Sequence, residues 1–414
     1  MILLAHPFGN ANVRAVLSAL DQAGLLAKFV TALGWSNASP LVHELPSNLR
    51  SQMARRGYEL PHYKIKIFPA REVVRLLAQK MRQRWLVEHE RGWASIDRVW
   101  GELDKFAAAS LRESHQRENI RSVYAYEDCA EQLFEAAREL GVRRIYDLPI
   151  AYWETARRLL TEEAERYPEW EPTLGGTRDS EEKLARKTRE LDLAELVICP
   201  SAFVLDSLPE TVRASKPCVV TPFGSPSVEQ VACSERKPGT GPMRVLFAGA
   251  LTQRKGLADL FSAMKLVASK EIELVVMGSL LRPLAWYREQ FPSFIYEPPR
   301  PHNDVLRLMR TCDVLVLPSI VEGRALVQQE AMACGLPLIV TKNAGGDDLI
   351  TEGETGFLIP IRSPEAIAEK ISWCAANRAS ISGMAIAAQR RASELTWSGY
   401  GRKVLAAIRS LTGE

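Results

Sequence analysis

Residues 315–346 read LVLPSIVEGRALVQQEAMACGLPLIVTKNAGG, and their pattern decides the fold. An apolar strand leads into a glycine-bearing loop, a helix follows, and a second apolar strand closes the unit. Glu322 stands in the loop and Glu330 on the helix, eight positions apart. A strand feeding a loop and a helix N-terminus offers backbone N–H groups and the positive end of the helix dipole to an anion. The binding surface expected here is the backbone of Gly323, Arg324, Ala325 and Leu326, with Gly323 letting the ligand come close. Glu330 can accept two hydroxyl hydrogen bonds through its two oxygens, as a ribose diol demands. Glu322 then faces whatever the phosphates carry.

Working outward, short apolar runs at residues 243–248, 273–277, 313–317 and 336–341 alternate with amphipathic stretches of helical length. Strands without polar alternation are buried on both faces, which implies a parallel sheet with right-handed crossovers, an α/β fold. Residues 226–242 are rich in Ser, Pro and Gly and read as an interdomain linker. It divides an N-terminal domain, 1–225, from a C-terminal domain, 243–390. Near the end of the chain, Trp397, Tyr400, Val404, Leu405, Ile408 and Leu411 recur at spacings of three and four on one helix face.

The ordered set FAGALTQRKG (247–256), ELVVMG (273–278), CDVLVLPS (312–319), EGRALVQQEAMACGLPLIV (322–340), Gly345–Gly346 and EGETGFLIP (352–360) resembles the E-x7-E pattern of retaining glycosyltransferases of family 4. These are built on the GT-B fold, in which two Rossmann-like domains face a cleft. In the N-terminal half the resemblance rests mainly on ICPS (198–201) and TPFG (221–224). It implies a hexosyl transfer from a nucleoside diphosphate sugar to an acceptor hydroxyl, in polysaccharide, glycolipid or other glycan synthesis. It also implies that the last helix, within 391–414, crosses back onto the N-terminal domain. A departing diphosphate gains negative charge, and Arg254 and Lys255, in the turn after the strand ending at Gly249, are placed to meet it. With Glu322 they form the expected catalytic set. Gly345 and Gly346 read as a second backbone approach to the donor sugar, or as a strand cap. The loop carrying Gly9 and Asn10 reads as an acceptor contact or as a plain Rossmann turn.

The chain departs from the family pattern at two places. Many relatives have arginine after the turn glycine, where this chain has Ala250, so Arg254 is expected to take over that charge. Relatives often carry a histidine at the end of an N-domain strand facing the donor sugar; here Tyr126 stands in that place, followed by Glu127. Tyrosine is a poor proton acceptor at neutral pH, which suits a front-face mechanism in which the donor's phosphate oxygen takes the acceptor proton.

With 414 residues and 46% hydrophobic content the chain can build two cores, and a net charge of +3 selects no partner. Seven cysteines with no C-x-x-C pair read as reduced core thiols, and residues 1–5 are too short for a signal core, so a cytoplasmic protein is expected. No two aspartates are spaced D-x-D and the six histidines are scattered, so no catalytic metal and no cofactor are expected. Residues 55–84 hold nine Lys or Arg against two acids, interleaved with apolar residues. That segment is either a solvated helix face or a peripheral contact with an anionic membrane at its inner face; no nucleic-acid motif accompanies it. The alternatives to a transferase are an epimerase or hydrolase using the same donor cleft, and a non-catalytic subunit that binds a glycan or a partner.

Overall fold

The structure, a computed structural model, describes residues 1–37, 56–226 and 241–412. Most of the expected linker, 227–240, lies outside the described residues, as does Arg55 of the basic segment.

Two parallel sheets organise the chain. The first runs Ile65–Ile67, Leu26–Thr31, Ile2–Ala5, Ser122–Tyr126, Arg143–Asp147, Leu196–Cys199, Cys218–Val220 in spatial order. The second runs Phe294–Glu297, Ile272–Met277, Met243–Ala248, Val314–Leu317, Leu338–Thr341, Gly356–Ile359. Every residue of Ile2–Ala5, Leu196–Cys199 and Val314–Leu317 is buried, which is why their sequences show no polar alternation. The fold is the expected α/β pair of Rossmann-like units. In each sheet the chain starts at an inner strand, winds to one edge, then returns to build the other side. This reversal opens a crevice beyond the carboxyl ends of the two strands flanking it, where α/β folds bind ligands. In the first unit those ends lead into residues 6–10 and 127–129; in the second, into 249–255 and 318–325.

Two segments cross between the units. The helix Trp397–Thr412 buries Tyr400, Val404 and Ile408 in the same cluster as Leu4, Val16 and Leu17 of the first unit. Gly401 permits that approach, since a Cβ there would stand 2.9 Å from the Ala15 carbonyl oxygen. The preceding helix, Arg378–Glu394, keeps Ala388 and Ala392 in the second core, so the crossing is made at residues 395–396. The other crossing runs from the helix Trp153–Arg166 into the turn Pro168–Thr173, where Trp170 enters the second core edge-on to Phe261, Trp286 and Tyr287. Among the described residues no helix is long and apolar enough to cross a membrane.

Candidate active site

The strand Met243–Ala248 ends at Gly249, whose φ of +144° lies where side chains are strained. A Cβ on it would sit 2.8 Å from Cδ and Cε of Lys255, so the glycine clears the path along which Lys255 crosses the strand end. The turn Gln253–Lys255 is capped by the Thr252 hydroxyl, which accepts from the Arg254 N–H at 3.1 Å. It is tied to the facing loop because the Arg254 carbonyl accepts from the Ile320 N–H at 2.9 Å. Lys255 Nζ then lies 2.5 Å and Arg254 Nη1 3.0 Å from the same Glu322 Oε1. The three expected catalytic residues therefore meet at one point, at the switch point of the second sheet.

Burial works against the Glu322 carboxylate, but Lys255 and Arg254 hold it below the ordinary glutamate range. Burial also pushes the Lys255 ammonium below its usual range, partly offset by Glu322 and reinforced by Arg254. An ion pair this enclosed is strong only while both partners remain. Ala250 adds no charge; Arg254 and Lys255 supply both cations.

The backbone around Gly323 behaves differently from the sequence expectation. A Cβ on Gly323 would come within 1.8 Å of the Pro149 carbonyl oxygen, so what approaches this glycine is a loop of the first unit rather than a ligand. The Gly323 carbonyl accepts from the Ser201 hydroxyl at 2.6 Å, which fastens the same seam. The Arg324 side chain is committed elsewhere, to Asp348 at 2.5 Å and the Gly345 carbonyl at 3.0 Å. The Ala325 N–H donates to the Ala344 carbonyl at 3.1 Å. The N–H groups of Gly323, Arg324, Leu326 and Val327 have no hydrogen-bond partner among the described residues, and these are the donors left for an anion at the start of the helix Leu326–Ala333.

Glu330 sits one turn into that helix, its side chain 21% exposed, with His302 Nδ1 3.6 Å away. Burial raises its pKa, and His302 opposes the rise. Gly345 and Gly346 are placed by packing: a Cβ on the first would meet the Gly323 carbonyl oxygen at 2.0 Å, and on the second Gln328 Oε1 at 2.3 Å. The Cβ side of Gly345 is thus taken by the loop of Gly323 and that of Gly346 by Gln328 of the helix Leu326–Ala333.

In the first unit Tyr126 is enclosed, 1% exposed, with its hydroxyl turned toward Tyr124 and Asp147 in the interior. It corrects the expectation of a side chain open to a sugar. The residue that sequence reading passed over is His6, at the end of the strand Ile2–Ala5 and 4.6 Å from Tyr126 ring to ring. His6 Nδ1 accepts from the Phe8 N–H at 2.9 Å, and burial drives its pKa down to about 3, leaving a neutral imidazole. Glu127 is buried beside Lys187 Nζ at 3.4 Å; burial pushes its pKa up against that ammonium. Gly9 is occupied by Tyr58, whose hydroxyl a Cβ would meet at 2.4 Å. Asn10 is exposed at the cap of the Ala11–Gln22 helix, with no side-chain cap bond.

A polar strap holds the cation turn from the other side. Gln253 Nε2 donates to Glu163 Oε2 at 2.6 Å and to Asp259 Oδ2 at 2.8 Å. The Thr252 hydroxyl donates to the Thr173 carbonyl at 2.7 Å, Arg166 pairs with Asp259 at 2.7 Å, and Arg362 reaches Glu163. No sequence signal indicated this network, because its members lie on three separated segments. Among the described residues the one grouping of metal-ligand type is His89, Glu90 and Asp179, away from this turn, and Lys183 Nζ already pairs with Asp179 at 3.0 Å.

Residues 233–391 match the family profile described as glycosyl transferases group 1. A D-inositol 3-phosphate glycosyltransferase of Paenarthrobacter aurescens is 21% identical over 87% of this chain and 83% of its own length. Two further curated glycosyltransferases match over shorter stretches, one of Salmonella typhimurium at 28% identity over 34% of this chain and 37% of its own length, the other of Mycobacterium bovis at 32% over 28% and 25%. Among solved structures, sucrose-phosphate synthase from Thermosynechococcus elongatus aligns with a TM-score of 0.67 at 16% identity, covering 100% of this chain and 99% of its own. Anabaena Alr3699/HepE, solved in complex with UDP, aligns at 0.62 and 15%, covering 99% of each chain. The fold is thus GT-B, and the segment 233–391 of its second unit is similar to the group 1 glycosyltransferases.

Proposed function

We propose that this protein is a retaining, metal-independent glycosyltransferase that moves a hexosyl group from a nucleoside diphosphate sugar to an acceptor hydroxyl in polysaccharide, glycolipid or other glycan synthesis. The observation that carries the proposal is the convergence of Arg254, Lys255 and Glu322 at the switch-point crevice. Two cations beside free helix-start N–H groups suit a diphosphate, and their charge gains value as the glycosidic bond breaks. UDP in the Anabaena protein supports a nucleotide of this kind. In this reading the incoming diphosphate replaces the Glu322 carboxylate on the cations, and Glu322 is released toward the donor sugar. Glu330 takes the ribose hydroxyls. The acceptor proton leaves with a donor phosphate oxygen, since the strand-end His6 of the first unit is enclosed.

The test is thermal stabilisation by UDP, GDP, ADP and their sugar conjugates, where a ligand at a hundred times its dissociation constant adds about 2.7 kcal/mol. The anomeric configuration of the product, read by NMR, then decides retention. A protein stabilised by none of these nucleotides is not a sugar-nucleotide enzyme.

A further inference from the structure

Among the described residues thirteen large apolar side chains stand exposed, and eight of them fall between residues 63 and 96. That concentration is the least accounted-for feature of the surface. The helix Ala70–Lys80 carries Val73 and Leu77 outward, 39% and 52% exposed, and the chain continues through Met81 and Trp85, 66% and 67% exposed. Trp93 joins them: the Arg71 guanidinium lies 4.4 Å over its ring and donates to its carbonyl, which holds the half-exposed indole beside the helix.

The charges sort into two sets. Arg56 and Arg75 turn inward to the buried Glu72, each at 2.6 Å, and Arg71 pairs with Glu102 at 2.6 Å. Lys64 and Lys66 are bound to Asp21 and Glu113. Five of the six basic residues through Arg75 that the sequence pointed to are thereby accounted for within the fold, Lys64 and Lys66 among them, and Arg55 lies outside the described residues. Lys80, Arg82 and Arg84 are exposed and without an acidic partner among the described residues. The exposed acid beyond them, Glu88, stands 4.0 Å from Arg91. What remains outward is a strip in which Lys80, Arg82 and Arg84 alternate with Leu77, Met81 and Trp85.

We infer that this strip is a membrane-docking surface for an anionic lipid bilayer. A protein partner would meet an apolar centre depleted of lysine with the charges at the rim. Here cations and apolar side chains are interleaved, as a layer of anionic headgroups above acyl chains requires, and tryptophan is the side chain suited to that boundary. The strip also adjoins the first-unit crevice. Arg75, on the inner side of the same helix, lies 5.5 Å from the centre of the Phe8 ring, in the loop that carries Gly9 and Asn10, and Arg56, from a separate segment, lies 5.9 Å from it. A bilayer held against the helix lies beside the acceptor-side loop, so the acceptor class that fits is a hydroxyl on a lipid-anchored molecule. That last step rests on the transferase reading; the docking itself does not.

The experiment is flotation of the whole chain with vesicles of phosphatidylglycerol and phosphatidylcholine, and with phosphatidylcholine alone, in the absence of any nucleotide. The wild type floats with the anionic vesicles and only weakly with the neutral ones. The variant Lys80→Glu, Arg82→Glu, Arg84→Glu binds the anionic vesicles about a hundredfold more weakly, since each basic residue near such a surface contributes about fivefold, and the difference shrinks at high salt. The variant Leu77→Glu, Met81→Glu, Trp85→Glu loses binding at low and high salt alike. Unchanged melting temperature in both variants shows that they fold. A wild type that ignores anionic vesicles overturns the inference, as does a charge-reversed variant that floats like the wild type. If light scattering shows a dimer that the apolar variant dissociates, with no vesicle binding in either protein, the strip is an interface between copies of the chain. Vesicle binding without stabilisation by any sugar nucleotide would leave the docking surface standing and remove the transferase reading.

Discussion

The Lys255 ammonium stands 2.5 Å from Glu322 Oε1, and the Arg254 guanidinium 3.0 Å from the same oxygen. The two cations are engaged by the protein's own carboxylate. Whatever anion enters must compete with Glu322, and this relationship separates the effects of the individual residues.

Lys255→Ala removes a charge whose value rises as the leaving group departs. Turnover is expected to fall by about a hundredfold or more, in line with other preorganised electrostatic groups. Steady-state kinetics checks this, and near wild-type turnover would place the diphosphate elsewhere.

Glu322→Gln keeps the shape of the side chain but frees both cations. Calorimetry should show the free nucleoside diphosphate binding more tightly than to wild type, by about tenfold, while turnover drops. Weaker binding would mean that Glu322 organises the cations instead of competing for them.

If Glu330 takes the ribose hydroxyls as proposed, Glu330→Ala removes contacts made before and during the reaction alike, so the Michaelis constant should rise with turnover little changed. Burial raises the Glu330 pKa, so its acceptor capacity is lost at a higher pH than for an ordinary glutamate as the solution is acidified. Wild-type donor affinity should weaken on acidification, and the variant should lack that component.

Gly323→Ala places a Cβ 1.8 Å from the Pro149 carbonyl oxygen. The seam between the units must open, at a cost of about 1–3 kcal/mol as for other overpacked sites. The melting temperature should drop and the radius of gyration from small-angle scattering should rise. A variant with wild-type values of both would show that the seam is not fixed in solution.

Asp147 is fully enclosed and accepts a hydrogen bond from the Tyr124 hydroxyl at 2.6 Å, and burial pushes its pKa up to about 7. The native state then binds a proton that the unfolded chain, with a pKa of 3.8, has released. Stability from this group is present in full below pH 3.8 and is lost as pH rises through about 7. At about 1.4 kcal/mol per pH unit the loss approaches ~4 kcal/mol. Asp147→Asn should remove one proton from the slope of unfolding free energy against pH over that window, measured by urea denaturation. An unchanged slope would show Asp147 ionised in the native state.

Much was legible in the sequence because it rests on local periodicity. The buried strands at 243–248 and 314–317 announce themselves by unbroken apolar runs, and the last helix by its three-and-four spacing, since a side chain's burial repeats with the period of its own element. The pairing of Arg254 and Lys255 with Glu322 was also within reach, because the first two follow one strand of the second sheet, Glu322 follows another, and the strand order makes those two adjacent.

Tertiary structure alone decided the rest. Glycine at 323 records a close approach in the sequence but not its partner, and only the folded chain shows that Pro149 fills that space. Trp170 lies in the N-terminal half yet is buried in the second core, and Gln253 is held by Glu163 ninety positions away. Of the basic segment, composition counted the charges but could not tell those neutralised by Glu72, Glu102, Asp21 and Glu113 from those left facing out. Composition and spacing register what a residue is and how its own element repeats. Contacts between distant segments depend on how the sheets and their connections close on one another, and that geometry exists only once the chain has folded.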